Sequence, residues 1–359
     1  MNTLNILLAL AVSLLISFLS VPFVKNIAIK AGAIDYPKDG RRMHKSPIPR
    51  LGGLSIFYGF VVSTLCFADL NRQMLGILLG ALIIVTLGVV DDIKVLKAKP
   101  KFIVQIIAAI LPVAFGARIN FVSIPFLNNS SSIAFSGILS YVITIIWIVG
   151  VTNAVNLIDG LDGLAAGVST IASASIFFIA LINGNLFVTT ISVILVGSCL
   201  GFLPYNLNPA TIFMGDTGAT FLGYIMAVMS IQGMFKSYTL VTFVIPVLIL
   251  GLPIFDTSFA IIRRLIHHKP IMEADRGHMH HRLIDMGFSQ KQTVSILYTI
   301  SSLLGLSAIV MEGYDTLTGF LLLLSVIVFV VLAIIFAGNP TPKDTKISEK
   351  PDTKGQSKQ

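Results

Sequence analysis

The chain has 359 residues, of which 55% are hydrophobic and only 12% are charged. An average soluble domain carries about 25% charged residues, so this composition excludes a fold built around one large soluble core. The formal net charge of +8 is compatible with nucleic acid, a membrane surface or anionic substrates as partners. Cys66 and Cys199 lie inside apolar runs and form neither a disulfide framework nor a metal-ligand pattern.

Apolar runs recur along the chain, and a membrane span needs about 20 such residues because the hydrocarbon core is roughly 30 Å thick. The eleven runs are 4–24, 51–68, 73–90, 102–117, 137–155, 163–182, 186–203, 217–234, 239–261, 292–311 and 316–337. The first has no cleavage site and is predicted to be a retained span. The mixed stretch 118–136 is predicted to be a hairpin or a surface helix. We therefore expect an all-α integral membrane protein of about eleven spans, with one transmembrane domain (1–338) and a disordered tail (339–359).

The basic residues are distributed unequally between the two sets of loops that eleven spans create. All but three of the 25 lysines and arginines lie in loops 25–50, 91–101 and 262–291 or in the tail. The exceptions are Arg72, Arg118 and Lys236. Because cytoplasmic loops are enriched in Lys and Arg, this set is predicted to be cytoplasmic, with the N-terminus outside and the C-terminus inside. The same bias explains much of the net charge without nucleic acid.

The predicted topology also places the ionisable groups on the cytoplasmic side. These groups are Asp91, Asp92, Asp159, Asp162, Asp216, Asp256 and all six histidines. A transporter more often places such groups near the membrane midplane, between discontinuous helices. The placement therefore favours an enzyme that acts on a cytosolic substrate, with the active site at the cytoplasmic face.

The acids Asp91 and Asp92 end the third apolar run in the segment GVVDDIK. Adjacent carboxylates repel each other, and the C-terminal end of a helix disfavours anions, so a cation or a shared proton must compensate. One interpretation is metal coordination together with a general base. The other is a salt bridge to Lys94 or Lys97.

The segment TNAVNLIDGLDGLAAG contains Asn153, Asn156, Asp159 and Asp162 at intervals of three. If the segment is helical, this spacing places all four side chains on one face. Amide and carboxylate oxygens suit Mg²⁺, which binds oxygen ligands and retains substrate phosphates. The alternative is that Asp159 or Asp162 caps the next helix.

Asp216 begins the eighth run in the segment FMGDTGATFLG. Gly-Asp-Thr-Gly before a helix is a good N-cap sequence, but a helix N-terminus also attracts phosphate. Asp256 is deeper in its run, where it could pair with Arg263 or Arg264 or support the site. A structural role is favoured for it.

The last large loop contains His278, His280, His281 and Arg282 in the segment RGHMHHRL. No cysteine or HExxH pattern accompanies them, so diphosphate binding or proton transfer is a better interpretation than zinc. A solvated basic loop is the alternative. Lys45, in the first loop, could bind phosphate or only orient the chain.

GVVDDIK, NAVNLIDGLDGLAAG, FMGDTGATFLG and RGHMHHRL, in this order, resemble the polyprenyl-phosphate N-acetylhexosamine-1-phosphate transferases, a glycosyltransferase family 4 type. The resemblance runs from about Pro22 to Leu283. The His-Met-His-His sequence, in place of three consecutive histidines, is similar to the N-acetylglucosamine branch of that family rather than to its murein branch.

The resemblance implies a Mg²⁺-dependent reaction, with Mn²⁺ as a substitute, in which undecaprenyl phosphate attacks a UDP-N-acetylhexosamine and UMP leaves. Asp216 and Asn156 are the implied metal ligands, and the implied catalytic acids are Asp91, Asp92, Asp159 and Asp162. The implied substrate-binding residues are Lys45, Asn153, His278, His280, His281 and Arg282. The expected location is the plasma membrane, and the sequence is compatible with a homodimer. The alternatives are a phospho-N-acetylmuramoyl-pentapeptide transferase and a polytopic transporter of an anionic lipid or sugar.

Overall fold

The structure is a computed structural model that describes residues 3–37, 46–123, 132–135, 137–233, 244–268, 277–313 and 317–325. Within these residues the chain is almost entirely helical. The helices are α1 (Thr3–Lys30), α2 (Gly53–Phe67), α3 (Arg72–Lys94), α4 (Ala98–Ala114), α5 (Ile138–Leu157), α6 (Leu164–Ile182), α7 (Leu186–Asn206), α8 (Gly215–Gly233), α9 (Val244–Ile249), α10 (Gly251–Ile266), α11 (Met279–Asp285) and α12 (Gln290–Gly313). Residues 317–325 are also helical.

The first eight predicted apolar runs and the tenth correspond closely to these helices. Of the eleventh run (316–337) only residues 317–325 are described, and they are helical. The ninth run is the exception, because Leu250 interrupts it and separates α9 from α10. Among the described residues, six helices are long and apolar enough to cross a membrane, namely α1, α3, α5, α6, α7 and α12. The prediction of a polytopic, all-helical membrane protein is therefore confirmed. Lys45 and the tail 339–359 lie outside the described residues.

Helix α8 forms the centre of the bundle, and its side chains are buried from Thr217 to Gly233. It packs against α2, α3, α5 and α6. The packing near its N-terminus is unusually close, since a Cβ atom at Gly53 would overlap the backbone of Gly218 and one at Gly88 would overlap Thr217. These approaches bring the start of α8 next to the end of α3.

Short strands complete the fold. Strand β1 (Ile34–Asp35) pairs antiparallel with β2 (Ile48–Pro49), and β3 (Phe121–Ser123) pairs with β4 (Ser132–Ala134). The second pair confirms the hairpin alternative for the mixed stretch 118–136. Beyond β2 the chain runs beside the α7–α8 loop, where the Gly52 and Gly53 amides donate to the carbonyls of Phe213 and Met214 at 2.9 Å. This pairing places Arg50 beside the start of α8.

Candidate active site

A cavity of about 540 Å³ opens where the α5–α6 turn, the α7–α8 loop, β2 and α11 meet. Its lining is rich in carboxylates and amides, with one guanidinium and one imidazole. The ionisable and amide side chains that line it are Asp35, Arg50, Asn156, Asp159, Asp162, Asn206, Asn208, Asp216, His281 and Gln290. The structure thus brings together the acids of three sequence segments that are far apart in the chain.

Lys101, in the first turn of α4, lies between two of the predicted acids. Its Nζ donates to Asp91 Oδ2 at 2.6 Å and to Asp216 Oδ2 at 2.5 Å. The other oxygen of Asp91 accepts from the Leu96 amide at 2.6 Å. The cation that compensates Asp91 is therefore Lys101, a residue that the sequence interpretation missed. Of the two acids, only Asp216 lines the cavity, and Asp91 lies behind it.

Asp92 has a side chain that is 0% exposed and uses both oxygens. Oδ1 accepts from the Asp216 amide at 3.0 Å and from Arg50 Nη2 at 3.1 Å. Oδ2 accepts from the Thr217 amide at 3.0 Å and from the Thr217 hydroxyl at 2.7 Å. Asp92 therefore caps α8 from a different helix. Gly215 is required here, because it has φ +71° and its Cβ atom would overlap the Asp92 carboxylate.

This arrangement excludes the interpretation that the Asp216 side chain caps α8. Helix α8 begins at Gly215, so Asp216 lies inside its first turn and does not occupy the N-cap position. Its backbone amide receives the cap from Asp92, which leaves its carboxylate directed to Lys101 and the cavity.

The NLIDGLDG segment departs from the continuous helix that would align its four polar side chains. Helix α5 ends at Leu157, so Asp159 and Asp162 lie in the turn before α6. Asn156 joins them at the cavity, whereas the Asn153 amide donates to Gln105 Oε1 at 2.6 Å and to a carbonyl of its own helix. Neither acid caps α6, whose N-cap is Gly163.

Asp162 connects the turn to the α7–α8 loop. Its Oδ2 accepts from Asn208 Nδ2 at 2.8 Å and from the Ala210 amide at 3.1 Å. The same Asn208 nitrogen donates to Gln290 Oε1, at the start of α12, at 2.8 Å. Asn208 and Gln290 were not predicted, because nothing in their local sequence distinguishes them from ordinary loop amides.

The electrostatics of the cavity follow from the crowding of acids. Burial, together with the negative charges of Asp216 and Asp92, raises the pKa of Asp159 to about 7. For Arg50, burial alone would lower the pKa, but the carboxylates of Asp92 and Asp216 outweigh burial and raise it. The cavity therefore combines a permanent cation, Arg50, with one acid, Asp159, whose ionisation is disfavoured, and it is well suited to a ligand that carries both negative charge and a cation.

The three histidines at the start of α11 occupy different environments. His281 lines the cavity, whereas His278 and His280 are 6% and 3% exposed beneath it. Arg282 is exposed, and its guanidinium lies 5.1 Å from the centre of the Phe259 ring. Helix α11 is thus packed at the cavity and is not a solvated basic segment.

The donor set can be compared with the expected Mg²⁺. Among the described residues, no three His, Cys, Asp or Glu side chains are grouped as a complete metal site. Mg²⁺ in phosphate-binding sites needs only one or two carboxylates, since substrate phosphates and water supply the remaining oxygens. Asp216 and Asn156 offer oxygen ligands at the cavity, with Asp91 nearby through Lys101. The chemistry of this donor set fits Mg²⁺.

Fold and site together define a polytopic membrane protein with a polar cavity of acids, amides and cations at its helix ends. Comparison with known proteins identifies it further. Residues 74–234 match glycosyl transferase family 4. The chain is 44% identical over 326 residues, 90% of each chain, to a protein of Bacillus subtilis named probable undecaprenyl-phosphate N-acetylglucosaminyl 1-phosphate transferase.

More distant relatives carry related names. A decaprenyl-phosphate N-acetylglucosaminephosphotransferase of Mycolicibacterium smegmatis is 30% identical over 79% of this chain and 76% of its own. A phospho-N-acetylmuramoyl-pentapeptide-transferase of Staphylococcus saprophyticus is 30% identical over 82% of this chain and 95% of its own. The chain belongs to glycosyl transferase family 4, as its motifs predicted.

Proposed function

We propose that the chain transfers N-acetylglucosamine-1-phosphate from UDP-N-acetylglucosamine to undecaprenyl phosphate, releases UMP and so initiates a cell-envelope polysaccharide or teichoic acid. The observation that carries the proposal is the Asp91–Lys101–Asp216 cluster at the edge of a cavity large enough for a nucleotide sugar. The name of the 44% identical relative supports the N-acetylglucosamine donor. The 30% identity to the murein-precursor transferase makes that activity the second candidate.

The proposal includes the topology expected from the charges. Eleven spans would place the N-terminus outside and the C-terminus inside, in the plasma membrane. The loops that carry most of the lysines and arginines join the helix ends that surround the cavity, which supports a cytoplasmic active site. A cytosolic nucleotide sugar would then reach the cavity directly, and the lipid phosphate would arrive from the inner leaflet.

Mg²⁺ is the proposed cofactor, with Mn²⁺ as a substitute. Asp216 and Asn156 would hold it, and when bound it neutralises charge on the diphosphate and on the departing UMP. Asp216 is suited to this role because the cap that Asp92 makes to its amide fixes the position of its carboxylate.

The residues of the chain supply mainly position and charge, which is what phosphoryl transfer requires. An oxygen of the lipid phosphate bonds to the β-phosphorus, the bond from that phosphorus to the bridging oxygen breaks, and its electron pair leaves with UMP. The lipid phosphate is largely ionised at neutral pH, because the second pKa of a phosphomonoester is about 6. Asp91 therefore has little need to remove a proton, and we assign it the task of holding Lys101 against Asp216.

The remaining side chains divide the cavity into two ends. Asp159 and Arg50 lie with Asp216 at the end where the diphosphate would bind. Asp162 holds the α7–α8 loop and, with the amide of Asn208, forms the end available to the nucleoside. His281 is positioned to contact phosphate or sugar from α11.

The test uses purified protein, undecaprenyl phosphate, Mg²⁺ and UDP-N-acetylglucosamine labelled in the sugar. We expect label in the organic phase in equal amount to the UMP released, and loss of both with a chelator. Asp91→Asn should abolish transfer, and Asp69→Asn is the matched control, because Asp69 is an exposed acid near the opposite end of α3, about 30 Å away. Label only with the UDP-muramoyl-pentapeptide donor would establish the second candidate, and no label with any UDP-amino-sugar would favour a transporter.

A further inference from the structure

Asp256 is a buried acid of α10 that has no part in the mechanism above. It is 7% exposed and uses both carboxylate oxygens at the N-terminus of α11. Oδ2 lies 2.8 Å from His278 Nδ1, and Oδ1 accepts from the Met279 amide at 2.7 Å. His278 is the N-cap residue of α11, but its own side chain makes no cap bond to that helix. The cap of α11 is therefore supplied by α10.

From α11 a series of ring contacts leads to the cavity. The His280 ring is parallel to that of His278, with centroids 5.9 Å apart, and its centroid is 4.2 Å from that of His281, which lines the cavity. His280 also lies directly on Gly160, where a Cβ atom would overlap the imidazole. Gly160 belongs to the turn that presents Asp159 to the cavity. Asp256 is thus linked to two parts of the cavity wall without touching it.

Helix α11 depends on this link because it is too short to be stable alone. It has seven residues, whereas isolated helices shorter than about 12–15 residues are marginal in water. Its first amides need external acceptors, and a carboxylate is a strong one. The bond to Nδ1 also fixes which ring nitrogen of His278 carries the proton.

We propose that Asp256 is a positioning residue of the active site, which holds α11 so that His280 rests on Gly160 and His281 enters the cavity. This proposal rests on the proposed function only where turnover of the UDP-sugar is measured. Arg263, a predicted partner of Asp256, donates instead to the Gly277 carbonyl at 2.8 Å.

The first experiment compares Asp256→Asn with the wild type and with Asp285→Asn, a control that removes an exposed acid from α11 itself. Asparagine can keep the bond from the Met279 amide but loses the charged partner of His278. We expect kcat/KM for the UDP-sugar to fall by about 10-fold or more, as for the loss of a charge-assisted hydrogen bond. The melting temperature should remain within a few degrees, and the control should match the wild type in both.

A second measurement is independent of turnover. Diethylpyrocarbonate modification, located by mass spectrometry, reports the accessibility of each histidine. In the wild type His280 should react slowly relative to the exposed His267 and His268. Asp256→Asn should increase the reaction of His280 and leave the two reference histidines unchanged. This result would support positioning even if the protein transferred a different sugar, whereas unchanged protection of His280 would overturn the proposal.

The third measurement separates positioning from a general loss of stability. His278→Ala removes the bond between His278 and Asp256 by changing the histidine, and Asp256 can still accept from the Met279 amide. This variant also takes the place of Asp256→Asn if Asp256→Asn fails to fold. The double variant should lose no more activity than the worse single variant, because both changes break one link. Additive losses in kcat/KM would contradict the proposal.

Discussion

Asp92→Asn should destabilise the protein, although Asp92 stands beside the acid that we assign to the reacting end of the cavity. The substitution keeps the shape of the side chain but removes its charge. Only one oxygen then remains to accept the bonds that reach Asp92 from Arg50, Asp216 and Thr217. The new amide group is a donor and would face donors.

The size of the stability loss expected for Asp92→Asn follows from the burial of the two partners. The Asp92 side chain is 0% exposed, whereas that of Arg50 is 24% exposed and keeps some water. Removing one partner of a buried ion pair costs about 3–5 kcal/mol. Because water can still solvate part of the Arg50 charge in the variant, we expect a loss at the lower end of this range, about 3 kcal/mol. A loss of that size should lower the melting temperature by several degrees.

The assay is thermal unfolding of the purified protein, with Asp91→Asn as the matched neighbour. Asp91→Asn removes one of the two carboxylates that fix the position of Lys101, while Asp216 still neutralises the lysine charge. The substitution should therefore cost only about 1 kcal/mol of stability, although the displaced lysine abolishes transfer. We therefore expect Asp92→Asn to melt well below Asp91→Asn. Equal melting temperatures for Asp92→Asn and the wild type would refute the assignment of Asp92 as the cap of α8.

Further predictions concern pH, packing and charge. Burial, assisted by a neighbouring histidine, lowers the pKa of His280 from 6.5 to about 4. Between these two pH values the unfolded chain binds more protons at this residue than the folded protein does. The free energy of unfolding should therefore fall by up to about 3 kcal/mol as the pH drops from 6.5 to about 4. His280→Asn should melt with a shallower pH dependence over that window, and an unchanged slope would contradict this. Gly53→Ala should lower the melting temperature because its Cβ has no space, whereas Gly150→Ala, with open space, should raise it slightly. Lys101→Met should reduce kcat by about 100-fold or more, while Lys97→Met, which changes an exposed lysine, should not.

The apolar helices could be predicted because they depend on local sequence. The grouping of acids could be predicted because the order of the apolar runs places their segments on the same side of the bundle. Hydrophobic length determines whether a segment can cross a membrane, and the apolar runs indeed correspond to helices. The motif that includes Asp159 and Asp162 reaches the cavity as expected. The break at Leu250 was not predicted, although Gly251 and Pro253, which follow it, are residues that weaken or interrupt a helix.

The separate tasks of the acids could not be predicted, because they depend on contacts between distant segments. Asp91 and Asp92 are adjacent in sequence, yet one binds Lys101 and the other caps α8. One interpretation of the sequence assigned the cap to Asp216, which follows a glycine before the helix, but Asp92 on α3 provides it. Asn153 was expected beside Asn156 and instead bonds to Gln105, since α4 packs against that side of α5.

The most direct test of the account is a donor comparison with the purified protein and undecaprenyl phosphate. UDP-N-acetylglucosamine and UDP-N-acetylmuramoyl-pentapeptide are supplied separately, and both the labelled lipid and UMP are measured. The account predicts lipid-linked N-acetylglucosamine-1-phosphate and an equal amount of UMP from the first donor, with little product from the second. Product from the muramoyl donor alone, or UDP in place of UMP, would contradict it.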